Sequence, residues 1–254
     1  MPKNFAAEKF DLTIEIDQLG YDNLLIFDSL KLDLKAGSWT CLLGVSGIGK
    51  STLLKFIAGL VGEQSDNSLK CSDHQPIAGR ISYMAQQDLL LPWLTVFENV
   101  TLGDRLRGVW DPIRFGLAHE LIDRVGLRDY AQALPKKLSG GMRQRVALAR
   151  TLLEDKALVL MDEPFSALDA ITRLHLQEMA SELLLGRTVL LVTHDPLEAL
   201  RLGNNIFLLE GCPASLEQVA YLDTPRPREV KNPEIQAYQG ELLARMSKFL
   251  ETRK

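Results

Sequence analysis

A glycine-rich loop between an apolar strand and a helical run constrains the fold of this chain more than any other feature of its sequence. The loop, residues 44–51 (GVSGIGKS), follows the apolar stretch Trp39–Leu43 and opens the helical pattern of residues 52–60. A strand, a glycine-rich loop ending in Lys-Ser and a helix, in this order, are the context of a phosphate-binding loop (P-loop). The sequence therefore predicts a phosphate site at the end of a buried strand.

Each residue type in this loop has a physical reason to bind phosphate. Glycines let successive backbone N–H groups curl around phosphates, and the helix N-terminus adds the positive end of its dipole. The ammonium of Lys50 can reach the β- and γ-phosphates of a nucleotide, and the hydroxyl of Ser51 can coordinate Mg²⁺. The residues that we predict to bind the nucleotide phosphates are Gly44, Ser46, Gly47, Gly49, Lys50, Ser51 and Thr52.

The apolar runs along the chain predict an α/β fold with a mainly parallel sheet. Residues 39–43, 157–161 and 188–192 are short, apolar or β-branched, and each is followed by polar residues or glycine. Such short apolar runs are typical of buried parallel strands, which present their carboxyl ends to a ligand. Helical patterns alternate with these runs, which indicates helices on both faces of the sheet.

Two adjacent acids at one of these strand ends match the P-loop. Asp162 and Glu163 follow the apolar run of residues 158–161. Beside a bound nucleotide, one carboxylate can hold the metal and the other can orient an attacking water. We predict that Asp162 serves the metal and that Glu163 serves the water, because the P-loop makes this interpretation stronger than that of an ordinary solvated acid pair.

The remaining segments predict one domain over residues 1–254 with two additions to the sheet. Residues 96–137 lose the strand pattern and take helical spacing, so we expect a helical subdomain over about residues 95–150. From residue 212 the chain is rich in proline and then closes with an amphipathic pattern at about residues 233–250. We therefore expect a proline-rich tail and a final helix over about residues 212–254.

Composition excludes several classes of protein. The 46% hydrophobic and 24% charged residues are typical of a soluble globular chain, and the formal charge of −4 without a basic block argues against a nucleic-acid binder. Cys41, Cys71 and Cys212 have no metal-ligand spacing and are expected to be reduced thiols. Residues 1–17 lack the pattern of a secretory signal, and no apolar run has the length of a membrane span.

A third motif identifies the family that this chain resembles. Residues 138–145 (LSGGMRQR) stand directly before the helical run of residues 146–153. On its own this is a serine-capped helix start with exposed N–H groups, which can also bind an anion. Together with the P-loop and the acid pair, it resembles the signature sequence of the ATP-binding-cassette (ABC) ATPases. The resemblance covers nearly the whole chain and implies the ABC cassette fold of the P-loop NTPases, with a parallel sheet core, an antiparallel β segment and an inserted helical subdomain.

The resemblance implies roles for residues far from the P-loop. Ser139, Gly140 and Gly141 would complete the nucleotide pocket of a second copy, so that a homodimer forms on ATP binding. Gln86 matches the Q-loop glutamine, which links the metal and the γ-phosphate to a membrane partner, although Gln87 makes a doublet with it. His194 matches the switch histidine that contacts the γ-phosphate.

Two further positions follow from the same resemblance. Residues 166–169 (SALD) match the D-loop, which makes Asp169 a nucleotide-site residue. Tyr21 lies where the family has an aromatic that stacks on adenine, with Phe27 as a competing aromatic nearby. The segment of residues 62–79 departs from the family pattern and leaves one edge of the sheet undefined. The resemblance implies ATP and Mg²⁺ as cofactors, with Ser51, Gln86 and Asp162 at the metal.

Two features favour the importer branch of the family. Residues 89–94 (LLLPWL) form an apolar run after the Q-loop, where importers receive a short helix of their transmembrane permease. This run, residues 225–228 (PRPR) and residues 232–234 (NPE) resemble the nitrate, sulfonate and taurine importer group, which includes importers of thiamine-pyrimidine precursors. The resemblance implies permease subunits as partners, a solute-binding protein indirectly, and a peripheral position on the cytoplasmic face of the inner membrane.

Other classes stay open as alternatives. A lipoprotein-release or division-type cassette, or a nucleotide-switched binding module, would share the ATP motifs. A P-loop kinase would also have the P-loop but has no use for residues 138–145. The sequence offers no pocket from which a transported solute can be identified.

Overall fold

A single mixed sheet carries the site predicted from the sequence. The computed structural model describes residues 9–21, 24–62 and 68–252. Its strands are β1 (Leu12–Tyr21), β2 (Leu24–Leu34), β3 (Trp39–Leu43), β4 (Leu69–Cys71), β5 (Ile81–Met84), β6 (Leu158–Asp162), β7 (Thr188–Thr193), β8 (Asn205–Gly211) and β9 (Ala214–Tyr221). In the described part of the chain they form one sheet in the order β4-β1-β2-β9-β8-β3-β7-β6-β5.

The helices follow the strands in the alternating order that the sequence predicts. They are α1 (Lys50–Ile57), α2 (Val96–Val100), α3 (Leu102–Leu106), α4 (Pro112–Arg124), α5 (Gly140–Leu153), α6 (Ala170–Leu183), α7 (Pro196–Leu202) and α8 (Pro233–Thr252), with short 3₁₀ turns at Arg128–Tyr130 and Pro135–Lys137. No helix in the described ranges combines the length and the apolar character that a membrane span requires.

The sheet has a parallel half and a largely antiparallel half. Strands β8, β3, β7, β6 and β5 pair in parallel, whereas β1 pairs antiparallel with β2 and β4, and β8 pairs antiparallel with β9. A single parallel pair, Phe27 with Ala214, joins β2 to β9. This arrangement confirms the predicted α/β fold with a mainly parallel core and an antiparallel segment.

Consecutive side chains of the buried strands point to opposite faces of the sheet, and both faces are covered, which explains their unbroken apolar sequences. Every residue of β3, β6 and β7 is buried. In β6, Val159 and Met161 pack into the core on one face, while Leu158 and Leu160 pack into the core on the other face. Because both faces are covered, each strand needs apolar side chains at consecutive positions.

The helical subdomain has its own core and lies between β5 and β6 in sequence. Apolar side chains of α2, α4 and α5 form a third cluster that includes Val96, Leu121 and Val146. Its helices begin at conventional caps: Thr95 and Glu98 form a capping box before α2, and the Asp111 side chain accepts the Ile113 N–H before α4.

The structure defines the bounds of the first helix, the edge of the sheet that the sequence left open, and the burial of the three cysteines. Helix α1 begins at Lys50 and ends at Ile57, not over residues 52–60, because Gly59 turns the chain with a φ of +71°. The undefined edge of the sheet contains the short strand β4, which pairs with β1; residues 63–67 lie outside the described residues. Cys41 and Cys71 are buried free thiols and Cys212 is an exposed one.

Candidate active site

Three neighbouring parallel strands bring the predicted residues to one edge of the sheet. Strand β3 leads into the P-loop, β6 ends at Asp162, and β7 ends one residue before His194. Strands β6 and β3 lie on either side of β7. The carboxyl ends of such strands are the usual ligand-binding edge of an open α/β sheet.

The side chain of Lys50 lies inside the P-loop. It is 4% exposed, and its Nζ donates to the carbonyl oxygens of Gly44 at 2.8 Å and Val45 at 2.9 Å. Burial lowers the pKa of Lys50, while the carboxylates of Glu163 and Asp162 act in the opposite direction. The ammonium is therefore held at the centre of the loop with two acids close to it.

Two glycines of the loop are required by backbone conformation, and one also by packing. Gly47 has a φ of +77° and Gly49 a φ of +109°, in the left-handed region that favours glycine. A Cβ atom on Gly49 would stand 2.4 Å from Cγ2 of Ile26 on β2. Gly49 is thus the point where the antiparallel half of the sheet touches the phosphate loop.

Ser51 and Asp162 form the candidate metal position. The Ser51 hydroxyl donates to Oδ1 of Asp162 at 2.9 Å, and Asp162 is buried. Burial raises the pKa of Asp162, and the hydrogen bond from Ser51 partly offsets that rise. A hydroxyl and a carboxylate are hard oxygen donors, which is the ligand type that Mg²⁺ prefers when it is shared with substrate phosphates. These residues fit the predicted Mg²⁺.

Glu163 is the meeting point of the loops that follow β5, β6 and β7. Its Oε2 lies 3.0 Å from Nδ1 of His194 and accepts a hydrogen bond from Nε2 of Gln86 at 3.3 Å. Its backbone has a φ of +46°, which is uncommon for a residue with a side chain, and its N–H donates to the Val192 carbonyl. Gln86 is thus the member of the glutamine doublet whose amide contacts Glu163.

The signature residues lie elsewhere, at the start of α5. The Ser139 hydroxyl accepts the Met142 N–H, as an N-cap does, and Ser139 and Gly140 are exposed. A Cβ atom on Gly141 would stand 3.1 Å from Leu168 of the predicted D-loop. The structure therefore places Ser139, Gly140 and Gly141 on the helical subdomain, beside the D-loop of the same chain.

The D-loop contacts the acid pair through its serine. The Ser166 hydroxyl donates to the carbonyl of Glu163 at 3.0 Å. Asp169 is exposed and caps α6 by accepting the Thr172 N–H at 3.0 Å, and the backbone hydrogen bond from Thr172 lowers the pKa of Asp169. A role of Asp169 at the nucleotide stays a prediction.

The structure decides between core and adenine stacking for one of the two aromatic candidates. Tyr21 ends β1, where it pairs with Leu24, and its side chain lies outside the described residues. Phe27 is completely buried in the core, where its ring lies against Gly49. Phe27 is therefore a core residue, and adenine stacking by Tyr21 stays a prediction.

Two arginines of α5 make contacts that no sequence pattern predicts. Nε of Arg143 on α5 donates to the Asp88 carboxylate at 2.9 Å. Arg150, seven residues further along α5, donates to the carbonyls of Asp88 at 2.6 Å and Leu89 at 2.9 Å. A seven-residue spacing of arginines on one helix face was the available signal, but it identifies no partner by itself.

The apolar run after Gln86 is at the surface. Trp93 is 70% exposed and Pro92 is exposed, while Leu91 is half-buried. We call Leu91, Pro92 and Trp93 the apolar patch. Leu89, just before the patch, is exposed and has a φ of +47°. A core role for Trp93 is thereby excluded.

Comparisons with known proteins identify the family of this chain. The sequence profile of the family described as ABC transporter matches residues 27–166. An aliphatic sulfonates import ATP-binding protein SsuB of Yersinia pestis is 41% identical over 241 residues, covering 92% of this chain and 85% of that protein. An uncharacterized ABC transporter ATP-binding protein of Haemophilus influenzae is 40% identical over 228 residues, covering 89% of this chain and 94% of its own.

A solved structure extends the likeness to three dimensions. An ATP-binding cassette, described as a dimer in a post-hydrolysis state bound to ADP and Pi, superposes with a TM-score of 0.67 at 30% identity. The match covers 84% of this chain and 99% of that one. The predicted resemblance to the sulfonate importer group is confirmed, as is ATP as the nucleotide. The chain belongs to the ABC transporter ATP-binding family and is an ABC ATPase.

Proposed function

We propose that this chain is the energy-coupling ATPase of a membrane importer for a small nutrient solute. The observation that carries the catalytic part is the convergence of Gln86 and His194 on one carboxylate oxygen of Glu163, beside the Ser51–Asp162 pair. The Glu163 carboxylate, the Ser51–Asp162 pair and the glycine-rich loop lie at one sheet edge, which supports roles as base, metal ligands and phosphate site. Such a set suits hydrolysis of a nucleotide γ-phosphate.

The roles follow from the chemistry of each group. Lys50 and the loop N–H groups bind the phosphates, and Glu163 orients the attacking water and accepts its proton. Gln86 and His194 hold Glu163 and contact the γ-phosphate. Mg²⁺, held by Ser51, Asp162 and Gln86, would neutralise charge on the phosphates.

The working unit is an ATP-sandwich homodimer. Ser139 and Gly140 are exposed at a helix N-terminus, where N–H groups are available for an anion of another molecule. The similar cassette described as a dimer supports this assembly. Gly141 and Asp169 complete the set of residues that we assign to the dimer site.

The apolar patch docks the permease. A 70%-exposed tryptophan beside a proline is a common anchor of a protein interface. Its position seven residues after Gln86 lets a change at the γ-phosphate reach the permease. We therefore propose a peripheral location on the cytoplasmic face of the inner membrane, with a solute-binding protein as an indirect partner. The names of the relatives favour sulfonates or similar small organic anions as the solute class.

Size-exclusion chromatography of Glu163→Gln tests the sandwich. With Mg-ATP we expect a dimer, and with ADP a monomer, because the variant binds ATP without hydrolysing it. Ser139→Arg in the same background is the matched control and should stay monomeric, since it blocks the partner's phosphate. A Glu163→Gln monomer that binds ATP tightly would contradict the sandwich.

Co-purification with a permease, sought first among the products of the adjacent genes, tests the docking role. Trp93→Ala should lose the permease, whereas Trp110→Ala, which removes an equally exposed tryptophan outside the apolar patch, should keep it. Retention of the permease by Trp93→Ala would contradict docking at the patch. If no adjacent gene encodes a permease and none is retained by the unaltered chain, the importer assignment fails.

A further inference from the structure

The proline-arginine segment of residues 225–228 contains a buried arginine. Such segments are usually solvated, but Arg228 is 4% exposed. Its guanidinium donates through Nη1 to the carbonyls of Leu200 at 2.9 Å and Gly203 at 2.7 Å. Through Nη2 it donates to the carbonyls of Leu222 at 2.8 Å and Thr224 at 2.9 Å, and through Nε to the Thr224 hydroxyl at 2.7 Å.

Every N–H of this guanidinium therefore has its own acceptor. Arginine offers five N–H donors in a fixed plane, and the bonds above use all of them. A lysine offers three donors from one atom, so it cannot reproduce the set. This position therefore requires the planar five-donor geometry of arginine as well as its positive charge.

These bonds close the C-terminal end of helix α7. The last carbonyls of a helix have no partner within the helix. Arg228 satisfies Leu200 and Gly203 with its side chain and Arg201 with its backbone N–H at 3.0 Å. Arg201 reciprocates, since its Nε donates to the Arg228 carbonyl at 2.9 Å. A cation at this end of a helix is also favoured by the helix dipole.

The other end of α7 lies two residues after His194, the proposed switch histidine. Asp195 caps α7 by accepting the Leu197 N–H at 2.9 Å, and His194 directly precedes it. Arg173 of α6 lies 3.3 Å from the Asp195 carboxylate and donates to the Leu168 carbonyl. Helix α7 has 7 residues, a length of about 10 Å, so both ends must be anchored to fix its position.

We propose that Arg228 is a positioning residue for hydrolysis: by closing the end of α7, it fixes where the imidazole of His194 lies relative to Glu163. The inference rests on the proposed function in one respect, the participation of His194 in hydrolysis. Arg228 does not touch the nucleotide site; it acts through α7.

Steady-state kinetics of purified Arg228→Lys test this role. We expect kcat for ATP hydrolysis to fall about tenfold with KM for ATP changed less than twofold, because His194 acts after the phosphates are bound. Arg245→Lys is the matched control: Arg245 bridges Glu210 and Glu217 and holds α8, but it has no bond to α7. It should keep both constants. An unchanged kcat in Arg228→Lys, or an equal fall in Arg245→Lys, overturns the proposal.

A double-mutant cycle separates positioning from general destabilisation. In a His194→Ala background, Arg228→Lys should lower the residual turnover by less than twofold, since its effect passes through the missing imidazole. A further tenfold fall in that background overturns the proposal. If His194→Ala itself hydrolyses ATP at the rate of the unaltered chain, the proposed function fails at His194, and that result is distinct from a failure of Arg228.

A milder variant and a spectroscopic readout remain useful if Arg228→Lys does not fold. Thr224→Val removes only the hydroxyl that accepts from Arg228 Nε, and we expect kcat to fall two- to threefold. The imidazole NMR signal of His194 should shift in this variant, while that of the exposed His175 on α6 should not. A His194 signal that stays unchanged together with an unchanged kcat overturns the proposal.

Discussion

Nδ1 of His194 lies 3.0 Å from Oε2 of Glu163, although the two residues leave different strands. The same oxygen accepts from Gln86, which follows a third strand. One carboxylate oxygen therefore gathers the loops after β5, β6 and β7. Any displacement of the Glu163 carboxylate therefore changes its contacts with both Gln86 and His194.

We expect Glu163→Gln to bind ATP normally and to hydrolyse it about 10²- to 10⁴-fold more slowly, the usual loss when a general base is removed. Phosphate release measures turnover, and a fluorescent nucleotide measures binding. Glu120→Gln changes an exposed acid of α4 and serves as the control. Turnover near that of the unaltered chain would exclude Glu163 as the base.

The glutamine doublet can be separated by paired substitutions. Gln86→Ala should lower kcat about tenfold, since it removes the amide 3.3 Å from Glu163 and a proposed metal ligand. Gln87→Ala, the adjacent substitution of the same size, should leave kcat unchanged. Phosphate release under saturating ATP decides between them. The reverse outcome would move the Q-loop role to Gln87.

Lys50→Ala should weaken ATP binding about 10- to 150-fold, the range for loss of hydrogen bonds to a charged group. The reason is that the proposed contact of Lys50 with phosphate is made already in the bound ground state. Isothermal titration calorimetry measures the dissociation constant, and Lys31→Ala, which removes an exposed lysine of β2 that pairs with Glu15, is the control. Unchanged affinity in Lys50→Ala would contradict the assignment.

Trp93→Ala should change the free energy of unfolding by less than about 0.5 kcal/mol, as expected for an exposed side chain. Trp39→Ala should lower the free energy of unfolding by about 3–5 kcal/mol, because Trp39 on β3 is 0% exposed. Chemical denaturation of the isolated chain measures both. A loss in Trp93→Ala as large as that in Trp39→Ala would contradict the exposed position.

Glu198 on α7 predicts a pH dependence of stability. Burial, followed by the charge of Asp195, raises the pKa of Glu198 to about 8, against smaller opposing effects of Thr193, Arg173 and Gln177. An exposed Glu titrates near pH 4.3. Between about pH 4.3 and pH 8, Glu198 is thus protonated in the folded chain and ionised in the unfolded chain. The free energy of unfolding therefore falls as pH rises through this range.

We therefore expect Glu198→Gln, which is neutral at every pH, to gain stability over the unaltered chain as pH rises. The two melting temperatures should agree to about 2 °C at pH 5, and the variant should melt several degrees higher at pH 8, at about 2–4 °C for each kcal/mol. Differential scanning calorimetry measures both. A constant difference across this range would contradict the raised pKa.

The sequence predicts the strands that matter because both faces of β3, β6 and β7 are covered, which leaves unbroken apolar runs. It also predicts the P-loop and the acid pair, because each directly follows such a run, whereas the role of His194 comes from the resemblance to the ABC ATPases. Local patterns carry those features, so no tertiary information is needed.

Three features of the structure depend on conditions that the sequence pattern does not reveal. The burial of Arg228 depends on carbonyls of α7 more than twenty residues earlier in the chain, and a proline-arginine segment gives no sign of them. The contact of Gly49 with Ile26 depends on the packing of β2 against the loop. The end of α1 at Ile57 depends on the left-handed Gly59, which competes with an apolar pattern that continues to residue 60.

The two arginines of α5 have a mechanical consequence. Arg143 and Arg150 lie on one face of the helix, about 10 Å apart along its axis, and both hold the segment of Asp88 and Leu89. Because the segment of Asp88 and Leu89 is attached to α5 at two points, it can neither slide along the helix nor rotate about a single contact. We therefore expect any displacement of the segment of Asp88 and Leu89 to move α5 as one unit, together with Ser139 at its start.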